Sequence, residues 1–359
     1  MWFPWLVSDD LKNIYMKSTD LSFLVLGAGA IGGITAALLR KNGYDVEILC
    51  RDKEYASLIS DKGLSISGIC GSFTVRVPSY SSASEISSKK DIILHATKAT
   101  DMSAALSDAL PVLKESGFVV SMQNGICEDE LASMAGTERI IGCVTGWGAT
   151  MESRGALSMT SAGDFILGYP AKPPDDFLDI LSEALSVIVP VRTTDNIMGH
   201  LYSKLVINSC ITSLGAICGL YLGDMLRIRK VRKIFIEIIR EAVSVADKMG
   251  IRIEVFGGRL DFRKFLSGTG FTAELRRHGL IRLIGFKYRR LKSSSLQSLE
   301  RGKKTEIDYL NGYIVHNAMK YNLAVPVNSV VVDMIHEIES KKREITPENF
   351  SDKSFNRFN

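Results

Sequence analysis

The chain has 359 residues, 46% of them hydrophobic and 23% charged, with 44 lysines and arginines against 40 acids for a net charge of +4. These values are ordinary for a soluble globular protein, and the length suits two domains, each with its own core. They exclude a disordered chain, a collagen-like chain and a disulfide-framed miniprotein, and so small a positive excess does not by itself imply nucleic acid. Six cysteines (Cys50, Cys70, Cys127, Cys143, Cys210 and Cys218) are scattered, with no C-x-x-C pair and no tight Cys/His spacing. No metal site or redox motif is expected, and a reducing cytoplasm is the natural compartment.

The N-terminal run Trp2 to Val7 is followed by Ser8-Asp9-Asp10 and lacks the basic start and small-residue cleavage site of a secretory signal. Residues 1–19 are read as an extension, with those ahead of Met16 dispensable. Ser22 to Leu26 is a short apolar run suited to a parallel strand buried on both faces. It leads into Gly27-Ala28-Gly29-Ala30-Ile31-Gly32 and a helical stretch from Ile34 to Asn42, closed by Gly43. Further strands are expected at Asp45–Leu49, Phe73–Val77, Asp91–Ala96, Gly117–Met122 and Ile140–Thr145. Helical stretches at Met102–Leu113 and Glu128–Ala135 separate the later ones, and the alternation implies a doubly wound sheet. Ala156 to Tyr169 reads as an added hairpin and Asp175 to Leu185 as a helix.

After about Thr194 the texture changes to long helical patterns: Met198–Leu214, Lys230–Met249, Thr305–Tyr321 and Ser329–Lys341. The expected organisation is a nucleotide-binding domain over 20–194, a helical domain over 195–340 and a loose polar tail over 341–359. The uncharged run Leu205 to Leu222 carries Asn208, Ser209, Thr212 and Ser213, too polar for a good membrane span, so a buried core helix is expected and no membrane partner.

The glycine turn follows an apolar strand and opens a helix, which is the context that dinucleotide binding demands of G-x-G-x-x-G. Gly27 permits the tight turn, Gly29 lets backbone approach a pyrophosphate, and Gly32 lets helix and strand pack closely. The helix N-terminus offers free N–H groups to the phosphates. All six residues of the turn, Gly27, Ala28, Gly29, Ala30, Ile31 and Gly32, are candidate cofactor contacts. At the end of the second strand stands Cys50-Arg51-Asp52. Arg51 suits the 2′-phosphate of NADP, with Lys98 as a second positive charge, while Asp52 keeps NAD open.

Lys204, Asn208 and Thr212 recur every fourth residue and so share one face of a helix. A lysine at the head of an apolar helix otherwise snorkels its ammonium to water. Ser294 and Glu306 stand twelve residues apart, and a break at Gly302 lets both point into one cleft; the plainer reading of Glu306 is a capping acid after Thr305. His95 is read as a satisfied core histidine, and His200 as a capping or surface residue.

With these motifs in this order, the chain resembles the ketopantoate reductase (2-dehydropantoate 2-reductase) family from about Leu21 to Glu337. The resemblance rests on the Gly27–Gly32 turn, Arg51, Lys98, Gln123-Asn124-Gly125, Lys204-Leu205-x-x-Asn208, Ser294 and the run from Thr305 to Gly312. It implies a Rossmann-like doubly wound parallel sheet followed by an all-helical C-terminal domain. It also implies NADPH-dependent reduction of a 2-oxo acid, ketopantoate to pantoate, in pantothenate and coenzyme A synthesis. On that resemblance Lys204 is the general acid and Glu306 holds Lys204 or a substrate hydroxyl. Asn208 orients lysine and substrate, Ser294 binds the carboxylate, and Asn124 lies near both nicotinamide and substrate.

Three features depart from the family pattern. Thr212 stands where a second asparagine is common, the stretch Ile251–Lys292 is long, and it is basic through Arg276, Arg277, His278, Arg282, Lys287, Arg289, Arg290 and Lys292, continuing to Arg301, Lys303 and Lys304. That charge suits a solvated surface or, alternatively, an anion-binding rim. The rival readings are a relative reducing a bulkier 2-oxo acid, an NADPH-sensing module, and, ranked last, a nucleic-acid binder, which lacks a recognisable module. A homodimer through the helical domain is also expected, since its apolar helices exceed what one subunit readily buries.

Overall fold

The computed structural model describes residues 17–358, with side chains to residue 355; the part of the expected extension ahead of Lys17 lies outside the described residues. The strands are β1 (Ser22–Leu26), β2 (Asp45–Leu49), β3 (Leu64–Gly68), β4 (Phe73–Val75), β5 (Ser79–Tyr80), β6 (Lys90–His95), β7 (Leu113–Ser121), β8 (Ile140–Thr145), β9 (Gly148–Ser153), β10 (Ala156–Ser161), β11 (Phe165–Gly168) and β12 (Val191–Thr193). Helices α1 (Ala30–Lys41), α2 (Lys53–Lys62), α3 (Met102–Ala109), α4 (Glu128–Ala135) and α5 (Asp176–Leu185) are interspersed among them.

Eight strands form one sheet in the order β12-β11-β8-β7-β6-β1-β2-β5. From β8 to β5 every neighbouring pair is parallel, and β11 joins β8 antiparallel. β1 and β6 are continuously apolar at their centres because helices cover both faces of the sheet. The strand order reverses between β1 and β6, and Leu26 pairs with both Leu49 and His95. The chain segments leaving β1, β2 and β6 therefore emerge side by side, at the crevice where open α/β sheets bind ligands.

The helical half begins with α6 (Ile197–Cys218), followed by α7 (Leu222–Met225), α8 (Arg229–Met249), α9 (Phe262–Leu266), α10 (Gly270–Lys287), α11 (Ser294–Glu300), α12 (Asn311–Lys320) and α13 (Pro326–Glu339). α6 is long and apolar enough to cross a membrane by composition, yet 83% of its most apolar window is buried inside the protein. Its neighbours in space, chiefly α11, α8 and α13, supply that cover. Polar pins fix the register of the bundle. Asn311, fully buried, donates to Asn328 Oδ1 at 2.9 Å and to the carbonyl of Ser209, and accepts from Ser213.

The doubly wound sheet and the helical second half stand as expected. Several details differ. The expected hairpin over Ala156–Tyr169 is two separate things. Ala156–Ser161 pairs with Gly148–Ser153 through a turn at Arg154-Gly155, and Phe165–Gly168 belongs to the main sheet. That hairpin joins β3 and β4 in a second, four-stranded sheet, so Phe73–Val75 is not a strand of the main one. The second sheet packs on α1 so closely that a Cβ on Gly33 would lie 2.4 Å from Leu157. The expected single helix Thr305–Tyr321 breaks at Leu310 between a 3-10 turn over Ile307–Tyr309 and α12.

The segment after Ser340 is not a loose tail. Phe350 and Phe355 are buried in the helical core, while the Thr346 N–H and the Asn349 amide donate to the carbonyl of Ile217 in the last turn of α6. The polar residues are capping a helix end, and two aromatics carry the burial. Phe350→Ala should accordingly cost about 3–5 kcal/mol of stability in urea unfolding. A loose tail would leave the midpoint unchanged.

Candidate active site

The glycine turn is built as its spacing requires. Gly27 takes φ +93°, and its N–H donates to the carbonyl of Leu49, tying β1 to β2. A Cβ on Gly32 would lie 2.1 Å from the Gly27 carbonyl oxygen, so only glycine lets the helix start this close to the strand. A Cβ on Gly29 would meet nothing within 4 Å, so at this point the backbone faces open space. The first N–H groups of α1 open into a cleft of ≈ 1320 Å³ lined by Gly27 to Ile31, Arg51, Lys98, Asn124 and Glu306.

At one end of the cleft Arg51 is 88% exposed and pairs with Asp101 at 3.4 Å. Asp52 is occupied: its carboxylate caps α2 through the Tyr55 N–H and pairs with Arg154 at 2.6 Å. The backbone hydrogen bond, then the arginine, hold its carboxyl below the usual range. Arg154, at the hairpin turn, also lies 5.2 Å from the centre of the Tyr55 ring. It is a second cation beside the end of β2 that the sequence did not announce. A hairpin turn far along the chain gives no sign of folding back onto that site.

At the other end the two halves of the chain meet. Lys98 leaves the end of β6 and donates to Ser298 Oγ of α11 at 2.8 Å. Burial lowers its pKa, and the nearby Glu306 carboxylate opposes that shift most. Its ammonium thus turns toward the helical half rather than lying beside Arg51. Glu306 Oε1 accepts the N–H of Ala99 at 3.1 Å, so it caps the turn after β6 instead of its own helix. Burial pushes its carboxyl up; the Ala99 bond and the charges of Lys98 and Lys204 pull it back.

Lys204 stands on α6 with its ammonium donating to the carbonyl of Thr145, at the end of β8, at 2.9 Å. Burial pushes its pKa down to about 8, against the opposing influence of Cys143, Glu306 and Glu128. Lys204 and Glu306 make no direct ion pair, so the expected grip of one on the other acts only through the field. Asn208, one turn on, is partly exposed. The Thr212 hydroxyl donates to the carbonyl of Asn208, and the residue is buried. Ser294 is exposed at the start of α11, and its carbonyl accepts from Ser298.

Asn124 is held at the cleft by its neighbours. Gln123 is buried against His95 and Ser121, and His95 also contacts the Met102 carbonyl, which makes it the satisfied core histidine expected. Gly125 takes φ +91° and faces the Tyr309 carbonyl. Glu128, missed in the sequence, is buried at the start of α4 with Oε1 unpartnered and its carboxyl pushed up to about 7 by burial. In sequence it reads as an ordinary first-turn helix acid.

The long basic stretch divides. Arg276 and Arg277 are engaged with the carbonyls of Lys264 to Gly268 and with Glu274, and His278 with Arg232. Arg301, Lys303 and Lys304 line the cleft, whereas Arg282, Arg289 and Arg290 line a separate surface concavity. The anion-rim reading therefore applies only to the last three residues of the run.

Comparison with known proteins gives a consistent result. The family described as ketopantoate reductase PanE/ApbA matches residues 23–172, and its C-terminal counterpart matches residues 196–339. The 2-dehydropantoate 2-reductase of Pyrococcus abyssi is 31% identical over 90% of this chain and 100% of its own length. A PanE/ApbA family ketopantoate reductase from Ralstonia eutropha superposes with a TM-score of 0.77 at 27% identity, covering 90% of this chain and 100% of that one. A D-mandelate dehydrogenase solved with NADH and anilino(oxo)acetate shares the fold, with a TM-score of 0.76 at 22% identity over 89% of this chain and 99% of that one.

The contact between Gly125 and Tyr309 joins the two halves at the cleft. A Cβ at Gly125 would lie 2.5 Å from the Tyr309 carbonyl oxygen at a positive φ. Gly125→Ala should lower unfolding stability by at least about 2 kcal/mol. An unchanged denaturation midpoint would mean that the two segments are not held together.

Proposed function

This chain belongs to the ketopantoate reductase family, and on that footing we propose that it reduces 2-dehydropantoate (ketopantoate) to pantoate with NADPH, a step toward pantothenate and coenzyme A. The observation that carries the reading is Lys204: a half-buried lysine, its pKa pushed down to about 8, whose ammonium donates to the Thr145 carbonyl at the junction of the two halves. The residues present suit a dinucleotide. The close-packed turn at Gly27 and Gly32, the open backbone at Gly29 and the exposed Arg51 form a cradle that a Cβ at Gly32 would disrupt.

A bound reduced nicotinamide supplies hydride to the keto carbon. Lys204 gives its proton to the ketone oxygen as negative charge develops there, and regains one from solvent. Because the cleft is partly desolvated, that ammonium stabilises the developing oxyanion more than it would in water. Asn208 and Asn124 orient the substrate, and Ser294 with Lys98 takes the carboxylate end. Glu306 holds the turn after β6 in place and accepts from a substrate hydroxyl. The N-terminal half acts as the nucleotide-binding domain and the helical half as the substrate domain.

Arg51 and Arg154 flank the site of the ribose, and Asp52 is committed to α2 and Arg154, so the charge balance there favours a 2′-phosphate. NAD is the competing cofactor reading. For substrate, one observation favours a bulkier 2-oxo acid: Thr212 returns its hydroxyl donor to its own helix, which removes a donor for the pantoyl hydroxyl. Free thiols at all six cysteines accord with a cytoplasmic enzyme.

NADPH oxidation at 340 nm with ketopantoate, pyruvate, 2-oxoisovalerate and benzoylformate separates these readings. Turnover of ketopantoate far above the others is expected. A preference for benzoylformate would move the protein to another pathway, and no turnover of any would remove the oxo-acid reading. Lys204→Ala should lower kcat by about 10²–10⁴-fold with nucleotide affinity retained. A near-normal rate would overturn the lysine assignment. Arg51→Ala should weaken NADPH by roughly tenfold or more, about 1.4 kcal/mol, with NADH little changed. Equal losses would remove the phosphate pairing.

A further inference from the structure

The kind of acid that selects NAD is present in this chain, and it is covered. Asp52 follows the end of β2, where NAD-binding sheets place a carboxylate for the ribose 2′-hydroxyl. Each of its oxygens is engaged. Oδ1 accepts the Tyr55 N–H and caps α2, and Oδ2 pairs with the Arg154 guanidinium at 2.6 Å. The cap alone would leave Oδ2 open to a ribose hydroxyl. Arg154 is what closes it.

Arg154 reaches Asp52 from the turn between β9 and β10, in the second sheet. That turn is seated by its backbone. A Cβ on Gly155 would lie 2.8 Å from Leu58 of α2, and the Gly155 carbonyl accepts the Ser65 N–H at 2.7 Å. The guanidinium lies 5.2 Å from the centre of the Tyr55 ring, and the Tyr55 hydroxyl donates to the Ala28 carbonyl of the glycine turn at 3.1 Å. An ion pair between two half-exposed side chains adds little stability in water, and the Gly155 contacts already hold the hairpin. Arg154 nevertheless stands on the wall of the cleft that holds the glycine turn.

We propose that Arg154 selects the coenzyme: it covers the acid that would favour NAD and offers its remaining N–H groups to the 2′-phosphate of NADP. The proposal rests on the reading of the cleft as a dinucleotide site. A guanidinium carries several N–H donors, so the pair with Oδ2 leaves others for a phosphate oxygen. Arg51 does not perform this task, because its own ion pair is with Asp101. Without Arg154 the end of β2 would present Arg51 beside an open carboxylate, which attracts a ribose hydroxyl and repels a phosphate. Coenzyme choice thus lies with a hairpin of the second sheet, and the run Cys50-Arg51-Asp52 by itself leaves both coenzymes open.

Equilibrium binding of NADPH and NADH to the full chain, read by nicotinamide fluorescence without any oxo acid, tests this. The native protein should bind NADPH more tightly. Arg154→Ala should weaken NADPH about tenfold and tighten NADH roughly threefold or more, with the thermal melt unchanged. Asp52→Asn retains a side chain that caps α2 and removes the charge. Added to Arg154→Ala, it should abolish the gain in NADH affinity, a reversal that a merely structural role for Arg154 would not produce. Equal losses of both coenzymes in Arg154→Ala, or an unchanged preference, would overturn the proposal and leave the dinucleotide reading of the cleft standing. A native protein that prefers NADH would overturn it too. One that binds neither coenzyme would remove the dinucleotide reading and this proposal together.

Discussion

A lysine ammonium held between the two halves, that of Lys204, is the constraint on which the centre of this molecule depends. Lys204 projects from a mostly apolar helix and donates to the carbonyl that ends β8. Removing a charge from water is expensive, and a lysine in this position responds by lowering its pKa. Two carboxyls within its field, Glu128 and Glu306, are each raised by their own burial. Glu128, pushed up to about 7, and Lys204, pushed down to about 8, lie on either side of neutrality, and the Glu306 carboxyl is raised beside them. A direct Lys204–Glu306 bridge would hold the lysine charged and lower its acidity. The structure avoids that contact by giving Glu306 to the N–H of Ala99.

The same need explains how the two halves are joined. The proposed reaction needs the ammonium positioned within tenths of an ångström, which a loose hinge does not provide. Besides the Lys204 bond to Thr145, Lys98 to Ser298, Glu306 to Ala99 and the close approach of Gly125 to Tyr309 cross the junction. Each pairs a loop at the C-terminal edge of the sheet with a segment of the helical half, so the nucleotide cradle and the lysine helix are referred to one another. Asn311, Asn328 and Ser213 then fix α12 and α13 against α6 from behind.

Much of this was legible in the sequence where local chemistry decides the structure. The strand Ser22–Leu26, its glycine turn and the helix beyond it carry their own instructions in apolar periodicity and in glycine placement. Lys204 and Asn208 declare a shared face by spacing alone. The misreadings fall where a partner distant in sequence decides. The hairpin at 148–161 is assembled by a turn at Arg154-Gly155, and the pattern from Ala156 onward does not reveal that its mate lies upstream. The C-terminal segment reads as a polar tail because its polar atoms cap α6, a fact visible only once α6 ends beside it. The spacing puts Thr212 on the face of Lys204 and Asn208 but does not show that its hydroxyl bonds back to the carbonyl four residues before it, as a threonine in a helix can. Glu128 and Arg154 were hidden for the same reason, since their significance lies in what they approach.

The pH dependence of wild-type kcat/KM for oxo-acid reduction tests the central claim most directly, because it reads the acid in the free enzyme. With Lys204 as proton donor and its pKa near 8, the rate should be level at neutral pH and fall tenfold per unit above about pH 8, as the lysine loses its proton. A profile that stays level until the ordinary lysine value of 10.5 would contradict the account. The ammonium would then be neither desolvated by the cleft nor the acid that completes the reduction.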